Sequence, residues 1–192
     1  MTIEAVVMAA GEGRRLRPLT DHWPKPMLPI DGRPVISTLL RELEFAERIT
    51  VVTGHLGDKL RRFLDDWDVT FADQPAALGS AHAVRCALEA GAKPPILVTV
   101  ADTVFLPGAL QRFAEEFESS GAAAGMAPPA WALGDEAVSS LDDLPGPPHE
   151  LLAAFGRMGE SGLHVHAAEI GPTRHISTPA DLVRENFVYL EE

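Results

Sequence analysis

Residues 4–26, EAVVMAAGEGRRLRPLTDHWPKP, pass from an apolar run through two glycines into a loop that carries Arg14, Arg15, Arg17 and Lys25. An apolar strand that breaks at glycine is how a buried parallel strand hands over to a ligand-binding turn. Gly11 and Gly13 let backbone N–H groups approach an anion closely, and Arg and Lys supply the compensating charge. The stretch therefore predicts a phosphate site at the carboxyl end of a strand. Leu16 stands where the third glycine of a dinucleotide fingerprint would be, Pro18 discourages a helix directly after the turn, and no G-K-[ST] ending follows. Neither a dinucleotide turn nor a Walker loop fits.

Working outward, short apolar runs alternate with segments of helical spacing. Strands are predicted at 48–54 (RITVVTG), 69–73 (VTFAD) and 94–102 (PPILVTVAD), and helices at 35–46, 57–67, 80–91 and 107–117. Continuous apolar strands between amphipathic helices are the pattern of βαβ units around a parallel sheet buried on both faces. The expected architecture is a three-layer α/β/α sandwich with a mostly parallel, Rossmann-like sheet. Pro and Gly crowd residues 121–148, so regular structure there should be short or absent. A helix at 149–158, a strand at 163–170 and a helix at 178–190 complete the reading, with Thr178 and Pro179 as N-cap and first-turn residue. With no long linker, all 192 residues are expected to form a single domain.

Charge narrows the partners. With 28 acidic against 16 basic side chains and a net charge of −12, the surface would repel a nucleic acid or an anionic membrane. A bound anion must be small and locally held. The opening apolar run is too short for a membrane segment, and the lone Cys86 cannot form an internal disulfide, so a reducing cytoplasm is the expected compartment. Cys86 falls on the apolar face of its helix as a small hydrophobe.

The run MAAGEGRRLRPLTDHWPKPMLPIDGRPVI, residues 8–36, resembles the signature of the sugar-1-phosphate nucleotidylyltransferases, L-A-A-G-x-G-x-R-L-x-P-L-T followed by P-K-P-M-L-P-I and G-x-P-x-I. QPAALGSAHAV resembles the family's nucleobase segment, ILVTVADTVF its metal-binding strand end, and HISTPADLVRENFVYL its closing D-I-G-T-P segment. The resemblance implies the nucleotide-diphospho-sugar transferase fold. It implies transfer of NMP from an NTP to a phosphorylated acceptor with release of pyrophosphate. Arg15 would hold the β and γ phosphates and Lys25 the α-phosphate, both by charge. Asp102 would bind Mg²⁺, although a helix N-cap is its structural alternative. Ala9, Ala10, Gly11 and Gly13 would cradle the nucleotide. Gln74 would read a pyrimidine edge through an amide that both donates and accepts, above the backbone of Leu78, Gly79 and Ser80.

Departures from the pattern bear on the acceptor. The family's V-x-x-x-E-K-P hairpin has no counterpart in 121–148, which implies a smaller phosphorylated acceptor, such as a phospho-alcohol, or a partner chain such as a second copy that completes the pocket. Ala101 replaces the glycine before the metal-binding aspartate, where its methyl would crowd the ligand. His175 stands where the family has the second metal-binding aspartate, and imidazole holds Mg²⁺ poorly. His164, His166 and His175 offer a transition-metal site as an alternative. A nucleotide-binding sensor or subunit without turnover is the alternative function.

Overall fold

The computed structural model describes residues 2–142 and 144–187. The chain begins with β1 (Glu4–Met8), a loop of three short 3-10 turns, and the two-residue strands β2 (Pro29–Ile30) and β3 (Arg33–Pro34). There follow α1 (Val35–Glu42), β4 (Ile49–Thr53), α2 (Gly57–Phe63), β5 (Thr70–Asp73), α3 (Ser80–Glu89), β6 (Ile96–Val100), β7 (Thr103–Val104) and α4 (Ala109–Ser120). The remainder is β8 (Ala124–Ala127), β9 (Ala130–Leu133), α5 (Asp135–Val138), α6 (Leu151–Glu160), β10 (Val165–Ala167), β11 (Arg174–His175) and α7 (Pro179–Asn186).

Seven strands form the central sheet in the order β10-β8-β9-β6-β1-β4-β5. β1 sits between β4 and β6 and is parallel to both, and β5 continues in parallel beyond β4. Alternation along β1 sorts the layers: Ala5 and Val7 join a cluster with Leu39, Leu40, Leu60, Leu110 and Phe113, whereas Val6 joins the opposite cluster with Val84, Ala87, Leu151 and Phe155. Each fully buried Leu or Phe contributes roughly 1.5–3 kcal/mol, so both faces of the sheet are anchored. This is the expected α/β/α sandwich, with the carboxyl ends of β1, β4, β5 and β6 opening on one side.

Several elements differ from the sequence reading. The helix expected over 35–46 stops at Glu42 and closes in a turn. Within 121–148 the chain inserts β8 and β9 into the central sheet, β9 running antiparallel to both β6 and β8. Propensity misses them because five of their eight residues are Ala or Gly, and pairing plus burial decide instead. A Cβ at Gly125 would meet Phe117 at 3.0 Å and Phe113 at 3.2 Å, so a larger residue there would require those rings to shift. The strand expected over 163–170 narrows to β10 at the sheet edge. Thr178 and Pro179 do start α7, through a capping box, and residues 188–190 of that expected helix lie outside the described residues. No helix among the described residues is long and apolar enough to cross a membrane.

Candidate active site

The glycine-containing loop after β1 grows directly from the central strand. Past Met8 the chain still bonds to its neighbours, with Ala9 N–H donating to Val52 O and His55 N–H donating to Ala10 O. Gly13 then turns at φ +62°, where a Cβ would lie 2.9 Å from Thr20 Cγ2 and 3.3 Å from Lys25 Cβ. Glycine is required by that close approach. The buried Thr20 hydroxyl donates to Gly13 O at 2.9 Å, and Leu16 is fully buried beneath the loop with Leu28, Ile30 and Val35. The loop is thus folded onto the body of the protein rather than left to solvent.

Its four basic side chains have separate fates. Arg14 donates to Glu12 at 2.8 and 3.0 Å, and its hydrogen bond holds the Glu12 carboxyl below the usual range. Arg17 pairs with Glu12 at 3.5 Å and with Asp21 at 3.2 Å. Lys25 forms an ion pair with Asp102, both only partly exposed. Arg15 is exposed and makes no ion pair or side-chain hydrogen bond among the described residues. Acids within the loop thus pair with Arg14 and Arg17, Asp102 pairs with Lys25, and of the four only Arg15 has no acidic partner among the described residues.

Asp102 follows β6 and lies beside β1, where Ala101 N–H donates to Met8 O at 3.1 Å. Its alternative as an N-cap fails, since α4 is capped at Gly108. Ala101 is 2% exposed and packs in the core while edging the cleft wall. Behind Asp102, Ile176 N–H donates to Asp102 O at 3.4 Å, and His175 faces Thr103 in the β11–β7 pair. The three-histidine alternative finds no support: no group of three His, Cys, Asp or Glu side chains suited to a metal occurs among the described residues.

Three strand positions from Asp102 across the sheet, a span of about 14 Å at the usual strand spacing, Gln74 projects from the end of β5. Gln74 N–H donates to Thr53 O at 2.8 Å, and Asp73 beside it is clamped by Arg61 at 2.6 Å. That hydrogen bond holds the Asp73 carboxyl below its ordinary range, and Arg61 also lies 4.7 Å over the Phe71 ring. The Gln74 side chain is nearly buried, and its Nε2 donates to Gly79 O at 2.9 Å and lies 3.0 Å from His82 Nδ1. One amide hydrogen is thus used inside the protein, on Gly79 O, and the NH₂ group also faces His82.

A second segment clamps this end. His149 N–H donates to Leu78 O at 2.6 Å, and Ala81 N–H donates to His149 O at 2.9 Å. Ser80 Oγ donates to Glu150 at 2.7 Å and accepts from Leu151 N–H at 2.8 Å, tying the starts of α3 and α6 together. Gly79 has φ +105°, and a Cβ there would come 2.3 Å from His149 O. No other residue fits beneath that backbone.

The resulting cleft has a volume of about 350 Å³, within the usual range for small-ligand sites. Ala9, Ala10, Gly11, Lys25, Gln74, Gly79, Ser80 and Asp102 all line it. Gly13, Arg15 and Leu78 do not: Gly13 shapes the loop, Arg15 is exposed to solvent, and Leu78 gives its carbonyl to His149. Ala77, Pro148 and Glu150 line the cleft without having been singled out by sequence. Glu150 carried a faint signal as the residue before the apolar run of α6.

Comparison with known proteins identifies relatives of this chain. The bifunctional protein GlmU of Geotalea daltonii is 39% identical over 120 residues, covering 59% of this chain and 25% of that protein. The UTP–glucose-1-phosphate uridylyltransferase AglF of Haloferax volcanii is 39% identical over 88 residues, covering 43% of this chain and 36% of that protein. The chain thus matches between a quarter and just over a third of the length of these curated relatives. Superposition on the UDP-glucose pyrophosphorylase of Acinetobacter baumanii gives a TM-score of 0.80 at 19% identity, covering 100% of this chain and 95% of that one, a likeness of fold. Residues 5–137, which carry the phosphate loop, Gln74, Gly79 and Asp102, match the model of the MobA-like NTP transferase domain, and the chain belongs to that family.

Proposed function

We propose that the protein transfers NMP from an NTP to a phosphorylated acceptor and releases pyrophosphate. The observation that carries this reading is a single cleft that holds Gln74 and Gly79 together with Lys25 and Asp102. Its span suits a nucleotide laid across the strand ends, with the base on β5 and the phosphates on β1 and β6. In the reaction a phosphate oxygen of the acceptor attacks the α-phosphorus, and the bond to the β-phosphate breaks. Lys25, freed from Asp102 by the incoming charge, stabilises the crowded α-phosphate, and Arg15 draws off the departing pyrophosphate. Neither group needs to gain or lose a proton.

Asp102 suits a hard cation. Mg²⁺ is commonly held by one or two carboxylates, with water and substrate phosphates completing its shell. One half-buried carboxylate beside the phosphate loop fits that donor set, and the neighbouring His175 brings no second carboxylate. The ion would neutralise charge developing on the α-phosphate. A pyrimidine NTP is favoured by the LGSAHAV segment, and a small phosphorylated acceptor by the brevity of 121–148. Such substrates and the acidic, single-cysteine composition suit a cytoplasmic enzyme.

The test is pyrophosphate release by the pure protein with each NTP, Mg²⁺ and a panel of phosphorylated sugars and phospho-alcohols. Release that requires one NTP and one acceptor class is expected. Saturable NTP binding with no release across the panel would overturn the proposal in favour of a binding protein.

A further inference from the structure

We infer that His82 is a positioning residue that fixes the Gln74 amide with its oxygen toward the cleft, so that the base subsite reads a hydrogen-bond donor and favours UTP over CTP. This rests on the cleft being the nucleotide site. Gln74 Nε2 lies 2.9 Å from Gly79 O and 3.0 Å from His82 Nδ1. A backbone carbonyl can only accept, so the group facing Gly79 must be the NH₂. Its second hydrogen points at His82 Nδ1, which can accept only while bare. The ring proton then belongs on Nε2, which lies 3.8 Å from the sulfur of Cys86, one turn along α3. Cys86 is buried, and burial pushes its thiol pKa up, so it meets that N–H as a neutral, weakly accepting group.

Both amide hydrogens are therefore committed inside the protein. Gln74 Oε1 has no donor among the described residues, yet it is not among the buried side-chain atoms left without a partner. It keeps access to the cleft that Gln74 lines. An unpaired oxygen there rewards a ligand N–H and repels a bare acceptor. Set against ring position 3, that oxygen meets an N–H in uracil and a bare nitrogen in cytosine, whose own donor is the neighbouring 4-amino group. His82 acts through Gln74 and has no direct role in reading the base.

Titration calorimetry with UTP and CTP on wild type, His82→Phe and His82→Asn tests this. Wild type should prefer UTP by about tenfold, the worth of roughly one hydrogen bond. His82→Phe keeps a ring but removes the acceptor, so the amide can turn and the preference should fall to about threefold or less. His82→Asn offers Oδ1 near the place of Nδ1 and should restore it, a rescue that a purely structural role would not give. Should His82→Phe fail to fold, ¹⁵N spectra of the wild-type ring decide the matter: a proton on Nε2 is expected, and one on Nδ1 overturns the inference. A wild type that favours CTP, or a preference unchanged in folded His82→Phe, overturns it while leaving the cleft a nucleotide site. Binding of neither nucleotide by wild type would bring down the reading of the cleft itself.

Discussion

At the end of the cleft proposed for the phosphates, the phosphate end, Ala9 through Lys25 come from one continuous loop, and Asp102 follows the neighbouring strand. At the base end, the Gln74–Ser80 loop is held from outside by His149 and Glu150, and the Ser80–Glu150 bond spans 70 residues of chain. Local turn geometry and one ion pair hold the first. Backbone pressed against backbone at Gly79 holds the second. The phosphate end should therefore lose chemistry without losing structure when its side chains are cut back. At the base end, structure and ligand binding should fail together.

The largest effect is expected at the phosphate end. Lys25→Ala should lower kcat by about 10²–10³-fold, the usual consequence of removing one preorganised charge-stabilising group. Arg15→Ala should lower it comparably. Melting temperatures should stay near wild type, above all for Arg15→Ala, because that side chain is exposed and unpaired among the described residues. Pyrophosphate release and thermal melts on the same preparations check both halves. Near wild-type turnover in either variant would break the comparison at its stronger end.

Next comes Gly79→Ala. Its φ of +105° and the 2.3 Å approach to His149 O combine backbone strain with overpacking against main chain. Together these should cost roughly 2–5 kcal/mol. Gly32→Ala is the control: φ is +72°, but nothing lies within 4 Å of the added carbon. Denaturant midpoints should fall far more for Gly79→Ala than for Gly32→Ala, with NTP affinity lost only in the former. Equal losses would mean that His149 exerts no particular pressure on the base loop.

The same contrast explains what the sequence could convey. Gly13, Lys25 and the turn between them form a contiguous motif, and β1 and β6 read as buried strands, so the fold and most of the phosphate end were legible. The pairing of Lys25 with Asp102 spans 77 residues and needed the sheet order to appear. The His149 clamp was not legible, because it is made by backbone groups that any residue carries. β8 and β9 were hidden for a related reason: Ala124–Ala127 and Ala130–Leu133 have little strand propensity and gain their structure from neighbours. Gln74 could be picked out at a strand end, but the direction of its amide depended on Gly79 O and His82.

A smaller effect is expected at His175, which reaches the phosphate end through β11. Because Ile176 N–H bonds to Asp102 O, this strand lies close behind the proposed cation site. His175→Asp should add a hard ligand and lower the Mg²⁺ concentration needed for half-maximal turnover several-fold. Turnover measured against Mg²⁺ and Mn²⁺ for both proteins checks it. An unchanged or higher Mg²⁺ requirement, or a wild type that works best with Mn²⁺, would show that the imidazole serves the site as it stands.

The smallest effect concerns α7, which braces the phosphate end as His149 braces the base end. The helix buries no side chain completely, so its cap and its ties carry it. Thr178 Oγ1 accepts from Asp181 N–H at 3.2 Å, Asp181 accepts from Thr178 N–H at 2.8 Å, and Asn186 donates to Pro29 O at 2.8 Å. Thr178→Ala should cost about 1 kcal/mol and leave kcat nearly unchanged, since a cap holds the helix and not the ligand. The pH dependence sharpens this. Partial burial acts to raise the Asp181 pKa, but hydrogen bonds from Ser177 and Thr178, with help from Arg184, outweigh it and bring the carboxyl to about 2 from an ordinary 3.8. A carboxylate depressed in the folded state contributes stability above its unfolded pKa and loses that contribution as pH falls through the folded one. Asp181→Asn should therefore melt below wild type at pH 6, and the gap should close as pH falls from 3.8 to about 2. A gap that is constant over that range would mean that the charge of Asp181 contributes nothing to the brace, and that Thr178 alone caps the helix.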